Sequence, residues 1–158
     1  MSYDFNANEI LKMAEQIERN GYKFYTTAAE NVTDSGSKEF LLKLADMESQ
    51  HEAYFTSIRS ELSDQEKETT VFDPDGEVDL YLRALADTRI FFEKKIDVSS
   101  MEEILKAAIT AEKDSIVFYL GMKSTIPKRL GREKVDEIIE EEMRHITLLS
   151  QRLLALQR

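Results

Sequence analysis

Residues 9–55 and 103–149 align with each other without a gap at a constant offset of 94. Glu9, Ile10, Leu11, Lys12, Ala14, Glu18, Phe24, Tyr25, Glu39, Glu48 and His51 recur as Glu103, Ile104, Leu105, Lys106, Ala108, Glu112, Phe118, Tyr119, Glu133, Glu142 and His145. A chain that repeats one such unit is expected to pack the two copies about a pseudo-twofold axis, where the repeated polar residues meet. Each copy is a pair of helices by its periodicity. Leu11, Ala14, Glu18, Gly21, Tyr25, Ala28 and Val32 follow spacings of three and four, one face of a helix over roughly 6–32. Leu41, Leu44, Glu48, His51, Phe55, Ile58 and Leu62 do the same over 37–63. Met101, Leu105, Ala108, Glu112, Ser115, Tyr119 and Met122 define a third helix over 99–124. Val135, Ile138, Glu142, His145, Leu149, Leu153 and Leu156 define a fourth over 129–157.

The breaks "TDSGSKE" (33–39) and "TIPKRLGRE" (125–133) are short, so each pair is an antiparallel hairpin. Between the hairpins runs an acidic connection, "SDQEKETTVFDPDGEVD", followed by "LYLRALADTRIFFEKKID", which reads as a shorter fifth helix. A long crossover of this kind is what joining helix two to a parallel helix three requires. The expectation is an all-α four-helix bundle forming a single domain over 1–158: hairpins at 6–63 and 99–157, and a crossover at 64–98. With 42% hydrophobic residues, 5 Gly and 2 Pro in 158 positions, the chain can bury a core and favours helix over sheet.

Four glutamates, Glu18, Glu48, Glu112 and Glu142, fall inside the apolar stripes. The chain's only two histidines, His51 and His145, sit one turn beyond two of them. Four carboxylates in a low-dielectric core cost many kcal/mol unless compensated, and mutual repulsion would raise their pKa values until most became neutral. No lysine or arginine occupies the stripe positions near them. Two divalent cations carry the charge that four carboxylates lack. A Glu from each of two helices plus Glu-x-x-His from each of the other two is the ligand set of di-iron and di-manganese bundles. Oxygen-rich ligation with one imidazole per metal suits iron or manganese, and zinc is also compatible. Glu48 and Glu142, each paired with a histidine, are read as bridging; Glu18 and Glu112 each cap one metal.

A single Glu-x-x-His in a glutamate-rich helix is ordinarily solvated surface. Two that use every histidine, at repeat-related positions, are not readily explained that way. Tyr25 and Tyr119 are read equally as core and as hydroxyls that reach the ligand carboxylates. Gly21 and Ser115 are small where a larger side chain would crowd the metals, although close helix packing explains them about as well. Phe24 and Phe118, like Met13, Met47, Met122 and Met143, are read as core.

The stretches "IERNGYKFYTTAAE", "LLKLADMESQHEAYF", "AAITAEKDSIVFYLGM" and "IIEEEMRHITLL" together resemble the rubrerythrin-like branch of the ferritin-like superfamily. The resemblance covers nearly the whole chain. It implies a ferritin-like bundle with a non-haem di-iron site on Glu18, Glu48, His51, Glu112, Glu142 and His145. Rubrerythrins carry an extra glutamate three residues after the third-helix ligand, which takes part in a redox-linked rearrangement; here that residue is Ser115. They also append a cysteine-ligated rubredoxin domain, whereas this chain has no cysteine, so an electron donor must be separate. The ligand set is also similar to that of bacterioferritins, which bind haem through a methionine just after the second-helix glutamate. Ser49 stands there, and no haem is expected.

The leading expectation is an oxidoreductase that reacts with O₂ or peroxide at two iron ions, with no residue outside the ligands assigned to the chemistry. The alternatives are a ferroxidase serving iron storage or delivery, and a bundle using Zn or Mn only structurally. Absence of cysteine excludes iron–sulfur clusters, thiolate zinc sites and disulfides. A net charge of −10 argues against nucleic acid or an anionic membrane as partner. The N-terminal residues read as no secretory signal and no apolar run spans a membrane, so a cytoplasmic location is expected. A homodimer is a candidate assembly.

Overall fold

The computed structural model describes residues 7–67 and 100–158. The expected fifth helix, and with it most of the crossover, lies outside the described residues. Four long helices account for nearly all the rest: α1 (Ala7–Asn31), α2 (Ser35–Ser60), α3 (Met101–Met122) and α4 (Arg132–Leu156). A single helical turn, Asp64–Lys67, follows α2. Among the described residues there is no strand.

The ends follow capping chemistry. The Asp34 carboxylate accepts a 2.8 Å hydrogen bond from the Ser37 backbone N–H, so α2 begins inside "TDSGSKE", two residues earlier than the periodicity suggests. Such a cap is worth about 1 kcal/mol. Ser100 caps α3 in the same way, accepting from the Glu103 N–H. Helix α4 starts three residues later than expected, because Lys128–Leu130 forms a 3₁₀ turn that closes on Gly131. Gly131 is left-handed (φ +81°), a conformation that a side chain would strain. The Arg132 guanidinium then donates to the carbonyls of Ile126 (2.7 Å) and Ser124 (3.3 Å), holding the α3–α4 turn closed.

Two contacts settle the helix directions. Tyr25 of α1 meets Glu112 of α3, and Glu18 of α1 meets Tyr119 of α3. Numbering that rises along one helix falls along the other, so α1 and α3 are antiparallel. Since α1 and α2 form a tight hairpin, α2 and α3 run parallel.

The core divides into two apolar halves. One joins Ile10, Leu11, Ala14 and Ile17 of α1 to Phe55 and Ile58 of α2, Phe118, Tyr119 and Met122 of α3, and Val135, Ile138 and Ile139 of α4. The other joins Tyr25, Ala28 and Ala29 to Leu41, Leu44 and Ala45, Ile104, Leu105 and Ala108, and Leu149. Each buried Leu, Ile, Val, Phe or Met among them contributes about 1.5–3 kcal/mol. Between the halves lies a polar layer.

Some positions read as core depart from expectation. Leu156, in the last turn of α4, is exposed, as is Met143, which lies one residue past Glu142 and so about 100° off the buried face. Phe118 and Met122 are fully buried; Phe24 and Met13 pack at the edge of the core.

Candidate metal centre

The polar layer is made of the six residues that interrupt the apolar stripes. Glu18 comes from α1, Glu48 and His51 from α2, Glu112 from α3, and Glu142 and His145 from α4. All are between 0% and 3% exposed. They form two overlapping groups: Glu18, Glu48, His51 and Glu142 in one, and Glu48, Glu112, Glu142 and His145 in the other. Within each, one ligand-type atom per residue lies within 4.8 Å of the rest. Glu48 and Glu142 belong to both. The imidazole rings face each other across the layer, with centroids 6.1 Å apart and planes inclined by 19°.

Both histidines turn Nδ1 inward. His51 Nδ1 lies 2.8 Å from Glu142 Oε1 and 3.5 Å from Glu18 Oε2. His145 Nδ1 lies 3.3 Å from Glu112, 3.6 Å from Glu142 and 3.7 Å from Glu48. Despite this proximity, none of these contacts is a hydrogen bond. Glu18 Oε2, Glu48 Oε1, Glu112 Oε2, both oxygens of Glu142 and Nδ1 of both histidines are buried without a hydrogen-bond partner. Among the described residues, these are the buried side-chain polar atoms left unsatisfied, and each would cost about 1–3 kcal/mol if nothing met it.

A second buried carboxylate shows what ordinary compensation looks like. Glu15 on α1 is 4% exposed and accepts a 2.8 Å hydrogen bond from Nε of Arg59. Among the described residues no arginine or lysine is paired with Glu18, Glu48, Glu112 or Glu142.

The electrostatics follow from this crowding. Burial first, then neighbouring carboxylates, raise the pKa of Glu18, Glu48 and Glu112. Burial acts the same way on Glu142, but the close approach of Glu112, His145 and His51 outweighs it and holds Glu142 well below the usual carboxylate range. Burial disfavours charge on His51, yet Glu142 and Glu18 push it up to about 11; Glu112 and Glu142 push His145 up to about 10. Without a cation, the layer holds protons in place of one.

The tyrosines bind crosswise. The Tyr25 hydroxyl donates to Glu112 Oε1 at 2.5 Å, and the Tyr119 hydroxyl donates to Glu18 Oε1. Each therefore reaches the unshared glutamate of the other hairpin rather than that of its own. Burial and the adjacent carboxylates raise both phenol pKa values well above normal, so both remain donors. Gly21 also touches the layer: a Cβ there would collide with the Glu48 carboxylate. Its counterpart Ser115 is buried, its hydroxyl donating to the Ala111 carbonyl at 3.0 Å.

Two residues at the layer's edge were not singled out by the sequence for this role. The outward Nε2 of His51 lies 2.6 Å from Glu141 Oε2, and Nε2 of His145 lies 3.2 Å from Met47 Sδ. Met47 and Glu141 are themselves related by the offset of 94. Only the antiparallel packing of α2 on α4 brings each to the opposite histidine.

The donor set fits two divalent cations: seven unpartnered buried atoms, all on six residues, converge in two groups that share two carboxylates. Fold and layer together define a ferritin-like helical bundle of the di-iron carboxylate type. The chain belongs to the rubrerythrin family, whose family model matches residues 9–96. That match takes in Glu18, Glu48 and His51, while their counterparts on α3 and α4 are supplied by the internal repeat. A crystal structure from Thermotoga maritima, described provisionally as a ferritin-like diiron-carboxylate protein, superposes with a TM-score of 0.70 at 24% identity, over 97% of each chain. That likeness establishes the fold. No curated protein gives a significant match. Among the described residues, no helix is long and apolar enough to cross a membrane.

Proposed function

We propose that this protein is a di-iron oxidoreductase that reduces O₂ or peroxide with electrons from a separate donor. The observation that carries the reading is the convergence of seven unsatisfied buried donor atoms on two adjoining positions. Glu18 and His51 would hold one iron and Glu112 and His145 the other, with Glu48 and Glu142 bridging. When bound, a pair of ferrous ions supplies two electrons to an oxygen substrate.

The chain's own residues prepare that site. Four carboxylates supply the charge that two divalent ions need, and the imidazoles are already turned with Nδ1 toward them. Tyr25 and Tyr119 each engage one oxygen of a terminal glutamate, leaving Oε2 of Glu112 and of Glu18 free to ligate. The tyrosine protons stay on oxygen, so these residues orient carboxylates rather than supply protons. Gly21 leaves room beside Glu48, and Ser115 presents a short side chain where rubrerythrins carry a further carboxylate. The apolar halves on either side keep bulk water from the layer.

Anaerobic loading with Fe(II), followed by elemental analysis, should give about two irons per chain. Peroxide added with a reductant should then be consumed over many turnovers at constant iron content. Absence of bound metal after loading would overturn the ligand assignment. Uptake far beyond two irons per chain would replace the oxidoreductase with an iron-storing protein.

A further inference from the structure

The two metal positions have nearly the same inner residues but different supports. We propose that they differ in affinity: the position at His51 fills first and releases last, because Glu141 positions His51 whereas only Met47 backs His145. This deepens the di-iron reading and rests on it.

Each histidine ligates through one nitrogen, and its other nitrogen sets the ring's tautomer and orientation. For His51 that other nitrogen lies 2.6 Å from a carboxylate oxygen, the length of a charge-assisted hydrogen bond. The carboxylate accepts the Nε2–H, so once a metal displaces the Nδ1 proton, the Nδ1 lone pair faces Glu18 and Glu142. For His145 the equivalent nitrogen lies 3.2 Å from a thioether sulfur. A thioether is a weak acceptor that exerts little pull on the N–H and imposes little orientation. Loss of such a carboxylate partner from a metal-bound histidine typically weakens binding about 10–100-fold. The same factor should separate the two positions here.

The contrast is not a by-product of unequal burial, since His51 is 3% and His145 1% exposed. Nor does it reflect unequal terminal carboxylates, because Glu18 and Glu112 are each held by a tyrosine of the opposite hairpin. What differs at repeat-related positions is the atom behind each imidazole.

The chain's two histidines make the test direct. With ¹⁵N-labelled histidine, Zn(II) is added to the full chain in steps and both imidazoles are followed by NMR. At one equivalent, the Nδ1 signal of His51 should move to the metal-bound position while His145 is unchanged; His145 should follow toward the second equivalent. Simultaneous movement, or His145 first, would overturn the proposal. If neither moves and no zinc is retained, the metal-site reading itself fails, and this inference with it.

Two variants separate positioning from mere folding. Glu141→Met should weaken the first step roughly 10–100-fold, bringing it to the level of the second, while Glu141→Gln, which keeps a hydrogen-bond acceptor, should recover part of the loss. Met47→Glu should tighten the second step. Glu141 is a third exposed, so its replacement leaves the core intact, and an unchanged melting temperature of the metal-free variant would document that. An unchanged first step in Glu141→Met would refute the positioning role.

Discussion

The two hairpins carry the same glutamates, histidines and tyrosines at the same spacing, yet they differ where those residues are supported. The first supplies Gly21 and Met47, where the second supplies Ser115 and Glu141. Gly21 meets the Glu48 carboxylate of the neighbouring helix, whereas the Ser115 hydroxyl bonds to its own helix backbone. Met47 of the first hairpin backs His145 of the second, and Glu141 of the second backs His51 of the first. A duplicated unit can therefore keep its buried glutamates and histidines while the environments of the two copies diverge. The four glutamates share one layer and must be neutralised together, whereas the support on each side can vary alone.

The largest expected effect treats the hairpins as equivalent. Glu48→Ala and Glu142→Ala should each compromise both metals, since both glutamates belong to both groups. Glu18→Ala and Glu112→Ala should lower metal content to about half, each sparing the other position, if they cap one metal apiece. Elemental analysis of the four variants checks this. Loss of one metal from the Glu48 and Glu142 variants, with loss of two from the others, would invert the bridging and terminal roles. The metal-free variants should remain folded, because each removes a buried carboxyl that lacks compensation.

The dependence of stability on pH comes next. Glu18, Glu48 and Glu112 have folded pKa values raised above 4.5, and His51 and His145 are raised from 6.5 to about 11 and about 10. Each then binds protons more tightly folded than unfolded. For the histidines, this contribution is full below pH 6.5 and is lost as pH rises through about 10–11. The three glutamates lose theirs as pH rises above 4.5 toward their folded values. Glu142 acts oppositely, contributing above 4.5, but it is one group against five. The metal-free protein should thus melt at progressively lower temperature from mildly acidic to alkaline pH. Metals displace those protons, so the increase in melting temperature on Zn(II) addition should be larger at high pH than at low. Paired melting curves across that range would show the divergence, and parallel curves would mean that the layer does not exchange protons for metal.

A smaller effect tests the asymmetry at Gly21 and Ser115. Gly21→Ala must displace the Glu48 carboxylate and should destabilise the metal-free fold by about 1–3 kcal/mol, while also weakening metal uptake. Ser115→Ala removes a hydroxyl that bonds only to its own helix backbone and should be nearly neutral by chemical denaturation. Equal effects at the two positions would mean that Gly21 serves helix packing alone.

An effect of similar size concerns a feature the hairpins share. Tyr25→Phe and Tyr119→Phe should each cost about 1–3 kcal/mol, leaving an oxygen of Glu112 or Glu18 without its donor. The two losses should be similar, because the contacts are related by the repeat. Denaturant titrations of both variants would expose any inequality.

Several features were legible in the sequence because they depend on local periodicity. Leu11, Ala14, Glu18, Gly21 and Tyr25 share a face whatever their neighbours do, since 3.6 residues per turn is a property of the backbone hydrogen bonds. The same holds for Glu48 with His51 and Glu142 with His145. The offset of 94 then implied that the two hairpins would bring their polar residues together, and all six converge in one layer. The caps were less legible: Asp34 starts α2 inside a stretch that reads as a break, because one side-chain hydrogen bond offsets its poor helix formers. What tertiary structure alone decided is which atoms meet across helices. That Tyr25 binds Glu112 rather than Glu18, and that Glu141 rather than a neighbour backs His51, follow from the relative direction and register of helices far apart in sequence. Periodicity along one helix carries no information about its axial offset against another. That offset is set by how the two apolar halves of the core interlock around the layer.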